Sequence, residues 1–123
     1  VLAGFFNGGQ DCTAATRVIV HESVHDEVVA ALAARARSHG RTGAPHDDGI
    51  LYGALNNADQ LERVAGIVDR LPSHADIVTG GRRQGDRGYF YEATIVTGMQ
   101  QDDEAVQEEI FGPVLTVQTF RTE

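Results

Sequence analysis

One thiol stands out. Cys12 follows the stretch Asn7-Gly8-Gly9-Gln10-Asp11 and precedes the β-branched run Arg17-Val18-Ile19-Val20-His21. Glycines permit a tight turn, and a cysteine between a turn and a strand is placed to meet an electrophile. The thiolate is the reactive species, and the neighbouring Asp11 opposes a negative charge there. Activation therefore has to come from backbone amides or from a base elsewhere. On local features alone a lone cysteine is more often a small buried hydrophobe than a nucleophile, and both readings stay open. In a cysteine hydrolase Gln10, two residues earlier, would be the group to serve an oxyanion, with a histidine partner required.

Three other stretches invite a chemical reading. His21-Glu22-Ser23-Val24-His25 matches the zinc-protease pattern H-E-x-x-H, which works only with both histidines on one helical face. Here His21 ends a strand and Ser23 is the natural helix cap, so a solvated junction is the reading adopted and no metal site is expected. Gly80 to Gly88, with Arg82, Arg83 and Arg87, does not fit G-x-G-x-x-G and is not followed by a helix, so it reads as a polar turn rather than a phosphate cradle. Glu108-Glu109-Ile110-Phe111-Gly112-Pro113-Val114 sets paired carboxylates and a ring just before a strand. Such a pair suits ribose hydroxyls and a flat ring, although an acidic helix end and a turn is the plainer account.

These groups need a scaffold. An apolar helix tail over 1–7, a strand at 17–21, and a helix over 24–38 capped by Ser23 are expected, the helix with Val28, Leu32 and Ala36 on its inner face. A second helix starts at Asn57 and buries Leu61, Val64, Ile67, Val68 and Leu71. A short strand at 77–80, an extended stretch at 89–97, an acidic short helix at 100–108 and a last strand at 113–120 complete the pattern. This is an α/β order with crossovers long enough for a parallel sheet.

The bulk properties narrow the functions. The 123 residues are 41% hydrophobic and 23% charged, as in a soluble globular domain, and the formal net charge is −8. That charge argues against nucleic acid or an anionic membrane as partner. All ten basic residues are arginine, which removes lysine Schiff bases, Walker-type phosphate lysines and Ser–Lys dyads. One cysteine makes no internal disulfide, and a reducing cytoplasmic setting is expected. No apolar run approaches the length of a membrane span. The chain opens mid-pattern without an initiator Met, as an excised piece does.

Taken together, Phe6-Asn7-Gly8-Gly9-Gln10-Asp11-Cys12 with Thr13-Ala14-Ala15-Thr16-Arg17 resembles the cysteine segment of the aldehyde dehydrogenase superfamily. Glu108 to Val114 resembles that family's second signature at the expected distance downstream. Tyr52-Gly53-Ala54-Leu55, Gln60-Leu61-Glu62-Arg63-Val64, Thr79-Gly80-Gly81 and Gly88-Tyr89-Phe90-Tyr91-Glu92-Ala93-Thr94 fall between them in the family's order. Ala54 stands where a proline is usual. Gly-Gln-Asp-Cys-Thr-Ala, with Gln100-Gln101-Asp102-Asp103 ahead of the second motif, is similar to the aminobutyraldehyde and betaine-aldehyde branch.

The resemblance implies part of a three-layer, parallel-sheet catalytic domain over residues 1–123, with the nucleotide-binding domain absent. It implies an NAD(P)-dependent oxidation of a small-molecule aldehyde to an acid. Cys12 is then the nucleophile that forms a thiohemiacetal and a thioester, and its N–H contributes to the oxyanion hole. Glu109 binds the nicotinamide-ribose hydroxyls, Phe111 packs at the nicotinamide end, and Asp11 and Thr13 flank the substrate tunnel. NAD or NADP is held mainly by residues outside this chain, and a homo-oligomer is implied for the full-length protein. The general-base glutamate, the oxyanion asparagine and the C-terminal closing stretch also lie outside, so the piece alone is expected to be inactive. A cysteine hydrolase or esterase using Cys12, a zinc protease through His21-Glu22-x-x-His25 and a non-enzymatic folding or interaction unit are the alternatives.

Overall fold

The computed structural model describes residues 1–122. Four helices and four strands follow one another as α1 (Leu2–Phe5), β1 (Arg17–His21), α2 (His25–His39), α3 (Ala58–Asp69), β2 (Asp76–Thr79), β3 (Thr94–Thr97), α4 (Glu104–Gln107) and β4 (Val114–Phe120). The strands form one sheet in the order β1-β4-β3-β2. β1 and β3 both run parallel to β4, while β2 runs antiparallel to β3 along the outer edge. The sheet is thus mostly parallel. β2 is antiparallel because the chain returns from it to β3 through a polar hairpin-like turn rather than through a crossover helix.

Alternation along the central strands sets the layers. Ile95 and Val96 are both fully buried and belong to separate apolar clusters, as pleating demands of neighbouring strand residues. Val96 and Val114 pack under α3 and α4 with Leu61, Val64, Ile67, Val68 and Val106. Ile95, Leu115 and Val117 face the other side, against Phe5, Val29 and Ala36 of α1 and α2. Helices therefore cover both faces of the sheet, which is the three-layer arrangement.

α3 is the best-specified helix. Asn57 caps it, its side-chain oxygen accepting the Gln60 N–H at 2.8 Å, worth about 1 kcal/mol. Its apolar stripe is buried throughout, each side chain contributing on the order of 1.5–3 kcal/mol. α2 begins differently from expectation. Ser23 does not cap it; the His21 ring accepts the Ser23 N–H at 3.2 Å, and a 3-10 turn over Glu22–Val24 leads into His25. The strand-ending imidazole also holds the Ser23 hydroxyl at 2.8 Å, and that oxygen is the group a serine cap would turn toward the helix amides.

α4 is a single turn, and charged contacts fix it. His74 and Asp103 pair at 2.9 Å, and Arg70 grips Glu104 through two N–H groups. The His74 hydrogen bond, then the Gln100 N–H, hold the Asp103 carboxyl below its usual range, and Arg70 does the same for Glu104. Both carboxyls thus have lower pKa values folded than unfolded, so their stabilisation is present above the ordinary carboxylate range near 4 and is lost as pH falls below it. The urea midpoint is expected to stay level from about pH 7 to 5 and to drop below about pH 4, less steeply in Asp103→Asn. A midpoint that holds or rises on acidification would contradict this assignment.

Candidate functional site

Parallel pairing decides where the two motifs lie. Strands β1 and β4 are direct neighbours, Arg17 opposite Thr116, and the loop before each strand therefore emerges at the same end of the sheet. One loop carries Cys12 and the other carries Glu109 to Pro113. Backbone meets backbone between them: a Cβ on Gly9 would collide with the carbonyl of Gly112. Asn7, Gly8 and Gly9 all adopt positive φ, at 50°, 65° and 71°, and this left-handed run turns the chain tightly enough for that approach.

Beyond this turn Cys12 is exposed on the surface of this chain. Among the described residues no side chain is hydrogen-bonded to its sulfur, and its own N–H has no acceptor. That free amide sits beside the thiol. Asp11 turns back on the loop: one carboxylate oxygen accepts both the N–H and the hydroxyl of Thr13, each at 2.8 Å, which holds its pKa below the usual value. Asp11 and Thr13 are thus joined to each other, in a half-buried and an exposed position respectively. The Gln10 carboxamide is already engaged, donating to Asn7 O at 3.0 Å and accepting the Asn56 N–H at 2.8 Å. One Gln10 N–H is thus committed to the turn, and among the described residues no histidine is bonded to the thiol.

The second motif is held by α3. Gln60 donates its side-chain N–H to Ile110 O at 3.0 Å and to Phe111 O at 2.8 Å. Arg63 donates to Glu109 O at 2.9 Å and lies 3.6 Å from the Glu108 carboxylate, an exposed pair worth little in itself. These contacts hold Phe111 at φ 55°, a left-handed conformation that costs a non-glycine residue about 1 kcal/mol or more. The Glu109 carboxylate is exposed and has no partner among the described residues. Gln60→Leu would strand two carbonyls, and its unfolding free energy is expected to fall by about 2 kcal/mol in a urea titration. A loss under about 0.5 kcal/mol would mean that water replaces the amide without cost.

Between the two loops lies a cleft of about 620 Å³, lined among others by Asn7, Gln10, Asn57, Gln60, Arg63 and Phe111. It joins one aromatic edge to several neutral polar groups, one cation (Arg63) and one carboxylate (Asp59). Cys12 and Glu109 flank the loops but do not line this cleft. Sequence reading missed Gln60 and Arg63 as holders of the second motif; their i, i+3 spacing on the polar side of an amphipathic helix was the available signal.

The other candidate stretches resolve simply. His21 contacts Ser23 and the carbonyl of Arg121, whereas His25 bridges Asp26 at 2.8 Å and Thr97 at 2.7 Å. The two imidazoles serve different elements, and no group of three or more potential metal ligands occurs among the described residues. Residues 80–88 fold back as a hairpin-like turn, with Gln84 N–H bonded to Phe90 O and Glu92 N–H to Arg82 O.

Comparison with known proteins decides the family. The aldehyde dehydrogenase family model matches residues 1–123. The chain belongs to the aldehyde dehydrogenase family. A mitochondrial aldehyde dehydrogenase of Leishmania tarentolae is 42% identical over 118 residues, which is 95% of this chain and 24% of that protein. Lactaldehyde dehydrogenase of Escherichia coli superposes with a TM-score of 0.92 at 34% identity, covering 98% of this chain and 26% of that one. Betaine aldehyde dehydrogenase of Staphylococcus aureus, in a complex with NAD+, gives a TM-score of 0.89 at 31% identity over 98% of this chain and 25% of that one. The chain therefore spans about a quarter of the length of its aldehyde dehydrogenase relatives. Identity to the betaine enzyme does not exceed identity to the lactaldehyde enzyme, so the branch resemblance selects no substrate. No helix among the described residues is long and apolar enough to cross a membrane.

Proposed function

We propose that this chain is the cysteine-bearing part of an NAD(P)-dependent aldehyde dehydrogenase that converts a small-molecule aldehyde to a carboxylic acid. The observation that carries the proposal is the apposition of the two loops, Gly9 against Gly112, with an exposed thiol on one and an unpartnered carboxylate beside a ring on the other. A loop pair with that chemistry suits a reaction in which one group attacks carbon while the other steadies a flat cofactor.

Cys12 Sγ, as thiolate, attacks the aldehyde carbon and gives a thiohemiacetal. The free Cys12 N–H is a donor for the oxyanion that develops next to it. NAD(P), when bound, supplies the hydride acceptor. Loss of that hydride leaves a thioester on Cys12, and water hydrolyses it to the acid and the regenerated thiol. The resemblance to the family implies that the base activating the water is a glutamate outside residues 1–123; Asp11, the carboxylate next to Cys12, accepts from Thr13.

The residues present fit the nicotinamide end of such a cofactor. Phe111 offers a half-buried ring to the cleft, Arg63 offers its remaining guanidinium donors, and the Glu109 carboxylate is an acceptor for ribose hydroxyls. They do not make a whole dinucleotide site, so most of the affinity resides elsewhere in the protein. Asp11 and Thr13 stand at the substrate's approach to Cys12. A homo-oligomer and a reducing, cytoplasmic setting complete the proposal for the full-length protein.

The test is a spectrophotometric assay of the full-length protein containing this sequence, with a panel of aliphatic and amino-substituted aldehydes and either NAD or NADP. Saturable formation of reduced cofactor, one per acid produced, is expected. Absence of turnover across the panel would refute the proposal. The 123-residue chain alone is expected to show none, and saturable turnover by it would overturn the assignment of the base to missing segments.

A further inference from the structure

Gln10 joins the two halves of the candidate site. Its carboxamide reaches in two directions at once. The N–H end donates to Asn7 O at 3.0 Å, inside the left-handed turn, while Asn7 returns a side-chain N–H to Gln10 O at 3.0 Å. The oxygen end accepts the Asn56 N–H at 2.8 Å. Asn56 immediately precedes Asn57, the cap of α3, and α3 presents Gln60 and Arg63 to the carbonyls of Glu109, Ile110 and Phe111. A single side chain thus links the Cys12 loop, through one short helix, to the segment that carries Glu109 and Phe111. Gly9 against Gly112 limits how near the two loops come. Gln10 opposes their drifting apart or sliding.

From this geometry we infer that Gln10 is a positioning residue: it sets the register between the nucleophile and the cofactor-facing segment, and it acts on hydride transfer rather than on the thiol itself. This rests on the dehydrogenase reading above. Hydride transfer requires the reacting carbon and its acceptor within a few tenths of an ångström of contact, and misplacement by about 1 Å costs on the order of a hundredfold in rate. Alkylation of an exposed thiol by a small reagent needs no second loop and is insensitive to that register.

The test uses the full-length protein and two variants. Gln10→Met keeps the length and loses both side-chain hydrogen bonds, while Gln10→Ala also removes the bulk. For both, kcat for aldehyde oxidation is expected to fall about tenfold or more, with Cys12 alkylation by iodoacetamide within about twofold of wild type. Gln10→Glu retains the acceptor for Asn56 but not the donor to Asn7, and is expected to lie between wild type and Gln10→Met. Wild-type kcat in Gln10→Met would overturn the inference, because it would show that shape rather than hydrogen bonding sets the register. A parallel loss of alkylation would overturn it too, by confining the effect to the cysteine loop. If the wild-type protein oxidises no aldehyde, the dehydrogenase reading fails and this inference fails with it. A fully active Gln10→Met removes the inference alone.

Discussion

Replacing Cys12 with alanine in the full-length protein is expected to lower aldehyde oxidation by at least about a thousandfold while leaving the fold unchanged. The size follows from what is removed. A covalent route splits one difficult displacement into two easier ones, and no other nucleophilic side chain is positioned in the cysteine loop: the Thr13 hydroxyl already donates to Asp11. The harmlessness to folding follows from exposure, since truncating an exposed side chain changes stability by about 0.5 kcal/mol or less. Steady-state rates and a thermal melt on the same preparation check both halves. Retention of more than a tenth of the activity would remove Cys12 as nucleophile. A melting point that fell by many degrees would instead return it to a structural role.

Gly9→Ala is expected to be the most disruptive single-methyl change in the chain. Its φ of 71° costs a residue with a Cβ about 1–2 kcal/mol. The new Cβ would also meet the Gly112 carbonyl, a backbone atom that cannot rotate aside, so the two loops must separate. Overpacking of this kind adds roughly 1–3 kcal/mol. The sum, about 3 kcal/mol, corresponds to a fall in Tm of about 10 °C or more for a domain of this size. Gly53→Ala is the matched control, because a Cβ there meets nothing within 4 Å and it is expected to melt as wild type does. Equal melting points for the two variants would show that the loops are not in contact.

How far the sequence led is clearest from individual elements. α3 was legible because Asn57, the apolar stripe and Pro72 agree on one helix, and every buried position on it was foreseen. β4 was legible from its apolar run after Pro113. The cap at Ser23 was misjudged because the His21 ring holds the serine hydroxyl, an interaction decided by where the strand ends. The direction of β2 follows from the polar turn read at 80–88, which brings β3 back beside it. At the site, the motifs were visible but their adjacency was not. It depends on β1 pairing with β4, and residue spacing does not reveal which strands are neighbours. Gln60 and Arg63 escaped notice for the same reason: their partners lie some fifty positions downstream.

The β1–β4 pairing also governs when the site comes into being. Arg17 meets Thr116 about a hundred positions later in the chain, so this is among the least local contacts in the sheet. Closing a loop of that size costs about 4 kcal/mol of chain entropy on logarithmic scaling, beyond the constant part. The hairpin of β2 and β3 and the capped helix α3 need only nearby residues and can form early, whereas the meeting of the two loops waits for the longest closure. A chain stalled before that step would hold much of its secondary structure and none of its paired-loop chemistry, so the site serves as a late reporter of complete folding.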